Sequence, residues 1–379
     1  MRILMLVQSP VAGDARVIRE ATTLAAAGHD VHVIGRDVPA DFVPPQGVSV
    51  ESVGRARGLR PGGERPVRDP LPVRTARWLL LPEHRARVEH AWEEAAQARA
   101  STGPAADVVH AHDFNTLRLG AHLARHWGAK LVYDTHEYWS GRPRVGRPTP
   151  VLTARQRRAE RELGGRADVV LTVGDGVADA LRRDHGWDRV SVVRNTFEPR
   201  IAGRRPDPPS GAVYAGRLAP YRELEVIAAA SASLDLPVTL VGPADPAWLA
   251  GFDPGTAKIR PAATLEEVDG LLEAAGLALV THSDRWPNHR LALPNKLFHA
   301  VRVGVPVVAT DVGELGRAVR RYGLGTLYRA GDADDFSRAV GVAVATYPSL
   351  GEAAIGARPE LSWPRDEAVL LATYEQLST

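Results

Sequence analysis

Strand-like and helix-like segments alternate from one end of this chain to the other, and the rhythm breaks once. Such alternation is the signature of helices wrapped on parallel sheets. In the first part, strands are expected at Arg2 to Val7, Val31 to Gly35, Val48 to Val53, Val108 to Ala111, Lys130 to Thr135, Val169 to Val173 and Val190 to Val193. The segment Phe197 to Gly211 then carries Pro199, Pro206, Pro208 and Pro209 among charged residues and reads as a linker. The alternation restarts at Val213 to Gly216 and continues through Val238 to Val241, Ala278 to Val280, Val305 to Ala309 and Thr326 to Tyr328. The expectation is an α/β protein of two doubly wound domains facing a cleft. The first covers residues 1–197, a linker 198–211, the second 212–362, and a last helix 363–379 carries Val369, Leu370 and Leu377 on its apolar side.

The helix ends are marked as well. Asp14 is placed to cap a first helix whose apolar face is Val17, Ala21, Leu24 and Ala25, and Gly28 stops it.

At 379 residues, with 44% hydrophobic and 24% charged residues, the chain is long enough for two full cores. The apolar opening Met1 to Val7 is too short for a signal-peptide core, and no apolar run reaches the roughly 18 residues that span a bilayer. With no cysteine, disulfides, thiolate metal sites and cysteine nucleophiles are excluded, which fits a cytoplasmic protein. A net charge of +2 does not suggest nucleic-acid binding. The charge is uneven, however. From Gly54 to Arg87 there are nine arginines against Glu64, Asp69 and Glu83, with Trp78-Leu79-Leu80-Leu81 near the end. That stretch reads as a long loop, suited either to packing on the body, to weak peripheral contact with an anionic membrane face, or to covering an acidic acceptor.

Open parallel sheets bind ligands at the carboxyl ends of their strands, so the residues just after each strand matter most. In the second half, Leu293-Pro294-Asn295-Lys296-Leu297-Phe298-His299-Ala300 reads as a loop and a helix opening on Pro-Asn-Lys, stopped by Gly304. Free N–H groups and the positive dipole end at a helix start favour an anion. Lys296 in that first turn opposes the dipole by roughly 0.3–1 kcal/mol unless an anion answers it, the alternative being that it snorkels to solvent. Arg217 follows the strand ending at Gly216, and Arg222 stands just before the next helix. A diphosphate needs such a set of forked donors, whereas the plainer reading is surface pairing with Glu223 and Glu225.

In the first half, alternation puts His110 and His112 on one strand face, and His136 ends the next strand. No zinc-protease spacing is present, so these read as hydrogen-bonding rather than metal-ligating histidines. No Gly-x-Gly-x-x-Gly follows the first strand, and neither Gly-x4-Gly-Lys-Ser/Thr nor Gly-x-Ser-x-Gly occurs, which disfavours nicotinamide enzymes, P-loop enzymes and serine hydrolases.

Taken in order, several segments resemble the retaining, two-Rossmann-domain (GT-B) glycosyltransferases of the large bacterial family 4 type. They are Asp14-Ala15-Arg16-Val17 with Glu20-Ala21, Val109-His110-Ala111-His112, Tyr133-Asp134-Thr135-His136-Glu137, Val193-Arg194-Asn195, Tyr214-Ala215-Gly216-Arg217-Leu218, Pro294-Asn295-Lys296-Leu297-Phe298 and Gly304-Val305-Pro306-Val307-Val308-Ala309. The resemblance implies transfer from a nucleoside-diphosphate sugar to an acceptor hydroxyl, on a sugar, glycan, lipid-linked or small-molecule acceptor, with retained configuration and without cofactor or metal. It implies that Arg217 and Arg222 stabilise the leaving diphosphate and that His112 contacts the donor sugar near the reacting centre. On the donor side it adds Gly13 and Asp14 in the early loop, Gly216 and Gly242 at strand ends, and Pro294, Asn295, Lys296 and Leu297. Asp113, His136 and Glu137 fall to the acceptor side.

One departure stands out. The family carries two glutamates eight residues apart, the second binding the nucleotide ribose, and here those places are Leu291 and His299. Losing one charge-assisted bond weakens binding by roughly 1.5–3 kcal/mol unless compensated. Asn288, His289 and Arg290, in the altered loop, and His299 itself are the expected replacements. Two alternatives stay open: a two-domain nucleotide-sugar epimerase, and a degenerate relative that binds the donor without turning it over.

Overall fold

The computed structural model describes residues 1–53, 90–141, 150–200 and 206–378. The arginine-rich stretch from Gly54 to Arg87, with the roles expected of it, lies outside the described residues.

In chain order the first domain contains β1 (Arg2–Leu6), α1 (Ala15–Ala26), β2 (Asp30–Gly35), β3 (Val48–Ser52), α2 (90–100), β4 (Val108–His112), α3 (Phe114–Trp127), β5 (Lys130–Thr135), α4 (Pro150–Gly164), β6 (Val169–Thr172), α5 (Asp175–His185) and β7 (Val190–Val192). A 3-10 turn spans Trp139–Gly141. The seven strands form one parallel sheet in the order β3-β2-β1-β4-β5-β6-β7.

The second domain runs through β8 (Gly211–Ala215), α6 (Leu224–Ser231), β9 (Val238–Val241), α7 (Pro246–Leu249), β10 (Lys258–Arg260), α8 (Leu265–Ala275), β11 (Gly276–Val280), α9 (Pro287–Leu291), α10 (Asn295–Val303), β12 (Val307–Thr310), α11 (Gly313–Tyr322), β13 (Gly325–Tyr328), α12 (Ala333–Ala345), α13 (Tyr347–Gly356) and α14 (Trp363–Leu377). Its six strands are ordered β10-β9-β8-β11-β12-β13, also all parallel.

The strands are short, β-branched and buried because helices cover both faces. β4, β6, β11 and β12 are buried along their whole length. Short edge strands escape this rule: β10 is exposed throughout, so its sequence carries no apolar signal. In each sheet the strand order reverses at one place, between β1 and β4 and between β8 and β11. Crevices for ligands form at such reversals, outside the carboxyl ends of the strands.

Three connections fix how the domains meet. Helix α14 returns to the first domain, where Trp363, Leu370 and Tyr374 sit in one core with Ile3, Met5 and Val33. Asp366 accepts hydrogen bonds from the Arg194 side chain and N–H and from the Thr196 hydroxyl, tying this helix to the crossover segment. Across the cleft, α9 docks on the first domain: Leu291 packs against its core, and the Asn288 amide accepts from the Tyr138 N–H at 3.0 Å and donates to Glu137 at 2.8 Å.

Candidate active site

The first-domain wall of the cleft is a buried, internally balanced charge network. Arg16, on the inner face of α1, donates from Nε and Nη2 to both oxygens of Asp134 at 2.7 Å, lies 3.1 Å from Glu20, and also donates to the Val193 carbonyl and Asn195. His110 and His112 share one face of β4, their rings stacked at 4.2 Å. His110 meets the Tyr374 hydroxyl at 2.8 Å, while His112 Nδ1 lies 3.1 Å from His136 Nε2 and 3.2 Å from Asp134. His136 is held between Asp134 at 3.4 Å and Asp113 at 3.6 Å.

Protonation follows from these contacts. Burial pushes the Glu20 carboxyl up, Arg16 opposes this, and the group settles at about 8. Burial would neutralise His136, but Asp113 and Asp134 overcome it and raise the imidazole to about 10, so it is a cation at neutral pH. Burial would also raise Asp134, yet Arg16 and His136 hold it well below the usual carboxylate range. His110, buried and beside His112, falls to about 3 and is neutral. Ligand atoms of Glu20, His110, His112 and Asp134 lie within 4.8 Å of one another, a spacing compatible with a metal ion. Arg16 already balances Asp134 there, and Glu20, raised to about 8, is mostly protonated at neutral pH, which leaves little negative charge to attract a cation.

Several expected residues stand at the lip of this network. Asp14 caps α1, accepting from the Val17 N–H at 3.3 Å and from the Ser9 hydroxyl at 3.0 Å. A side chain added at Gly13 would meet open space. Asp113 has φ 64° and ψ 162°, a region essentially reserved for glycine, and such strain concentrates at functional sites. The Nε2 atom of His112 is buried without a hydrogen-bond partner.

The opposite wall differs in kind. After β8 and β9 the backbone turns at Gly216 (φ +156°) and Gly242 (φ +147°), and a Cβ on Gly242 would fall 2.0 Å from the Gly216 carbonyl oxygen. Only glycine permits that approach. Beside it run Arg217, exposed, and Arg222, half-buried, the latter flanked by Tyr221 and Glu223 at φ 65° and 59°. The Thr281 hydroxyl pins this loop by donating to the Arg222 carbonyl at 2.6 Å.

Pairing of the arginines with Glu223 and Glu225 does not occur. Glu223 accepts from the Gly331 N–H and Glu225 from the Trp248 indole at 3.0 Å. Lys296, in the first turn of α10, lies 4.9 Å from the centroid of Tyr214 rather than running out to solvent. Burial and the neighbouring Arg222 lower its ammonium to about 7. Pro294 caps α10 without a side-chain bond, and no acid occupies the first turn. Among the described residues no ion pair answers Arg217, Arg222 or Lys296.

The remaining donor-side expectations divide. Asn288 is spent on the domain contact with Glu137 and Tyr138, so neither its amide nor that carboxylate oxygen points freely at a sugar. Arg290 is exposed and pairs with Asp284. His299 packs edge-on against Phe197 at 4.2 Å and sits 3.7 Å from the buried Asp269, which also holds Arg302 and Arg200. Leu297 is a core residue at 0% exposure that anchors α10 rather than facing a ligand.

The stretch after β11 holds two histidines: His289, expected beside Asn288 and Arg290 as a sugar contact, and His282, to which the sequence assigned no role of its own. His282 follows β11, at the strand reversal opposite Arg217, and both its ring nitrogens are buried without partners. His289 bonds the Ser283 hydroxyl at 2.9 Å and lies 5.4 Å from His282, ring to ring. The strand order, which brings β8 beside β11, places His282 at the crevice.

Comparisons with known proteins agree with this architecture. Residues 14–200 match the model of Glycosyltransferase Family 4, and residues 210–345 match that of Glycosyl transferases group 1. A D-inositol 3-phosphate glycosyltransferase of Arthrobacter sp. (strain FB24) is 25% identical over 97% of this chain and 91% of its own length. A protein of that name from Mycolicibacterium gilvum is 27% identical over 71% of this chain, and the match spans 65% of that protein. Among solved structures, sucrose-phosphate synthase from Thermosynechococcus elongatus superposes with a TM-score of 0.74 at 18% identity, covering 100% of this chain and 99% of that one. Anabaena Alr3699/HepE in complex with UDP-glucose gives 0.67 at 16% identity, over 99% and 100%. With both halves matched in order on a GT-B fold, the chain belongs to the family 4, group 1 glycosyltransferases.

Proposed function

We propose that this protein transfers a sugar from a nucleoside-diphosphate sugar to an acceptor hydroxyl with retention of anomeric configuration. The observation that carries the reading is the unopposed positive wall: Arg217, Arg222 and Lys296 beside an uncapped helix start, with no carboxylate answering them among the described residues. Such an arrangement is unfavourable until a dianion fills it, and it stabilises charge that develops on a leaving diphosphate. These cations supply the compensation that a metal provides elsewhere, so the reading needs no metal or cofactor.

Retention is supported by how the strand-end carboxylates are used. Asp14 caps a helix, Asp134 holds Arg16, Glu137 holds Asn288 and Asp113 faces His136. None is placed as a ready nucleophile, which favours departure of the diphosphate and attack by the acceptor on the same face. In this reading His112, through its unpartnered Nε2, contacts the donor sugar, and Asp113 with His136 receives the acceptor. A cytoplasmic location, with peripheral membrane contact through residues 54–87, belongs to the same reading. Among the described residues no helix is long and apolar enough to cross a membrane.

The test is incubation with UDP-, GDP-, ADP- and dTDP-sugars, read first by melting temperature. Occupancy at 100 times Kd stabilises by about 2.7 kcal/mol. A panel that neither raises the melting temperature nor is consumed sinks the proposal. A second reading, binding without turnover, is favoured by Leu291 and His299 and by the use of Asn288 as a domain contact. Donor binding with no product on any acceptor would select it, and product formed without an acceptor would select an epimerase.

A further inference from the structure

His282 has no role in the reading above, yet it occupies the deepest position of the positive wall. It closes β11 at the strand reversal, its N–H donating to the Thr310 hydroxyl at 2.9 Å. The ring is 5% exposed, and neither nitrogen has a hydrogen-bond partner. A buried, unsatisfied polar group of this kind is destabilising and calls for a reason. The charged and titratable groups acting on it are Lys296 from α10, Arg222 from the loop after β8 and His289 from α9, and none is acidic. All three repel a proton on the ring.

We propose that His282 is a proton-accepting floor of the anion site, so that seating a dianion on Arg222, Lys296 and the start of α10 is coupled to uptake of a proton by this imidazole. The inference rests on the donor-diphosphate reading and deepens it. In the empty site burial and the cations hold His282 well below its ordinary value, and they lower His289 as well. An arriving dianion reverses the field and draws one proton from solvent. Because the free site has the depressed value, anion affinity is greatest where the cluster is protonated and falls as pH rises, by up to about tenfold per pH unit for each proton coupled. Lys296, held at about 7, contributes to the same linkage and must be separated from the histidine.

Lys296→Arg makes that separation, since a guanidinium does not titrate in this range. Sulfate serves as a phosphate mimic with no ionisation of its own near neutrality. In Lys296→Arg protein labelled with 15N-histidine, sulfate added at pH 6.5 should move one ring from the neutral to the imidazolium pattern. That resonance should be missing in His282→Gln, whose melting temperature checks its fold, and present in His289→Gln. A His282 ring that stays neutral at saturating sulfate, or no response at any sulfate concentration, overturns the inference. UDP-glucose separates this outcome from the parent reading: nucleotide sugars that bind with His282 neutral sink the inference alone. Sulfate-driven protonation without binding of any nucleotide sugar sinks the transferase reading alone.

Discussion

The two walls of the cleft carry similar numbers of titratable side chains and handle them in opposite ways. In the first domain Arg16, Glu20, Asp134, His136 and Asp113 neutralise one another at hydrogen-bond or ion-pair distance. In the second, Arg222, Lys296, His282 and His289 act on one another without an acid, and Arg217 follows Gly216, the glycine that lies against Lys296. A balanced buried network is satisfied by the fold, so removing a member should chiefly lower stability. An unbalanced one is satisfied only by something from outside, so removing a member should chiefly lower binding.

The largest effect expected is therefore structural. Arg16→Ala strands Asp134 in the core, and breaking a buried pair in this way costs about 3–5 kcal/mol, read by urea denaturation. Equal stability of wild type and variant would break the comparison at its first term.

Arg222→Ala should do the reverse. The empty protein should melt at the same temperature or higher, because a repulsion is removed, while nucleotide-sugar affinity falls about 10–100-fold, the worth of one charge-assisted contact of about 1.5–3 kcal/mol. Calorimetric titration decides it, and a destabilised variant with unchanged affinity would mean that the arginine serves the fold.

Asn288→Ala tests the border between the walls. It removes the Asn288 acceptor of the Tyr138 N–H, at about 1–3 kcal/mol, and the amide that donates to Glu137. Scattering should show a wider separation of the domains, and an unchanged radius of gyration would remove α9 as a clamp.

The last expected effect is a slope with pH, spread over several units. The His136 value is raised to about 10, so its contribution is full below its unfolded value near 6.5 and is lost as pH climbs toward 10. Glu20, raised to about 8, loses stability in the same direction between 4.5 and 8. Melting temperature should thus decline on the alkaline side, and His136→Asn should flatten the upper part of that decline.

Much of this was legible in the sequence because covered parallel strands must be apolar runs and helix ends must be marked. The strands at Val108, Lys130 and Val238, the Asp14 cap and the final helix from Trp363 to Leu377 all carried such signals. β10 did not, because an exposed edge needs no apolar residue. The nearness of Arg222 and Lys296 was readable from cations placed at strand ends and helix starts. His282 was not, since its meaning depends on β11 lying beside β8, a neighbour relation that local pattern does not contain. Asn288 misled for a related reason: a polar residue in a cleft-side loop bonds a ligand or the opposite domain equally well, and only the fold shows which.

The most direct test is a crystal structure with a bound nucleoside diphosphate. Its phosphates should lie within hydrogen-bond distance of Arg217, Arg222, Lys296 and the free N–H groups that open α10. A diphosphate seated instead on His136 and the first-domain network would contradict that placement.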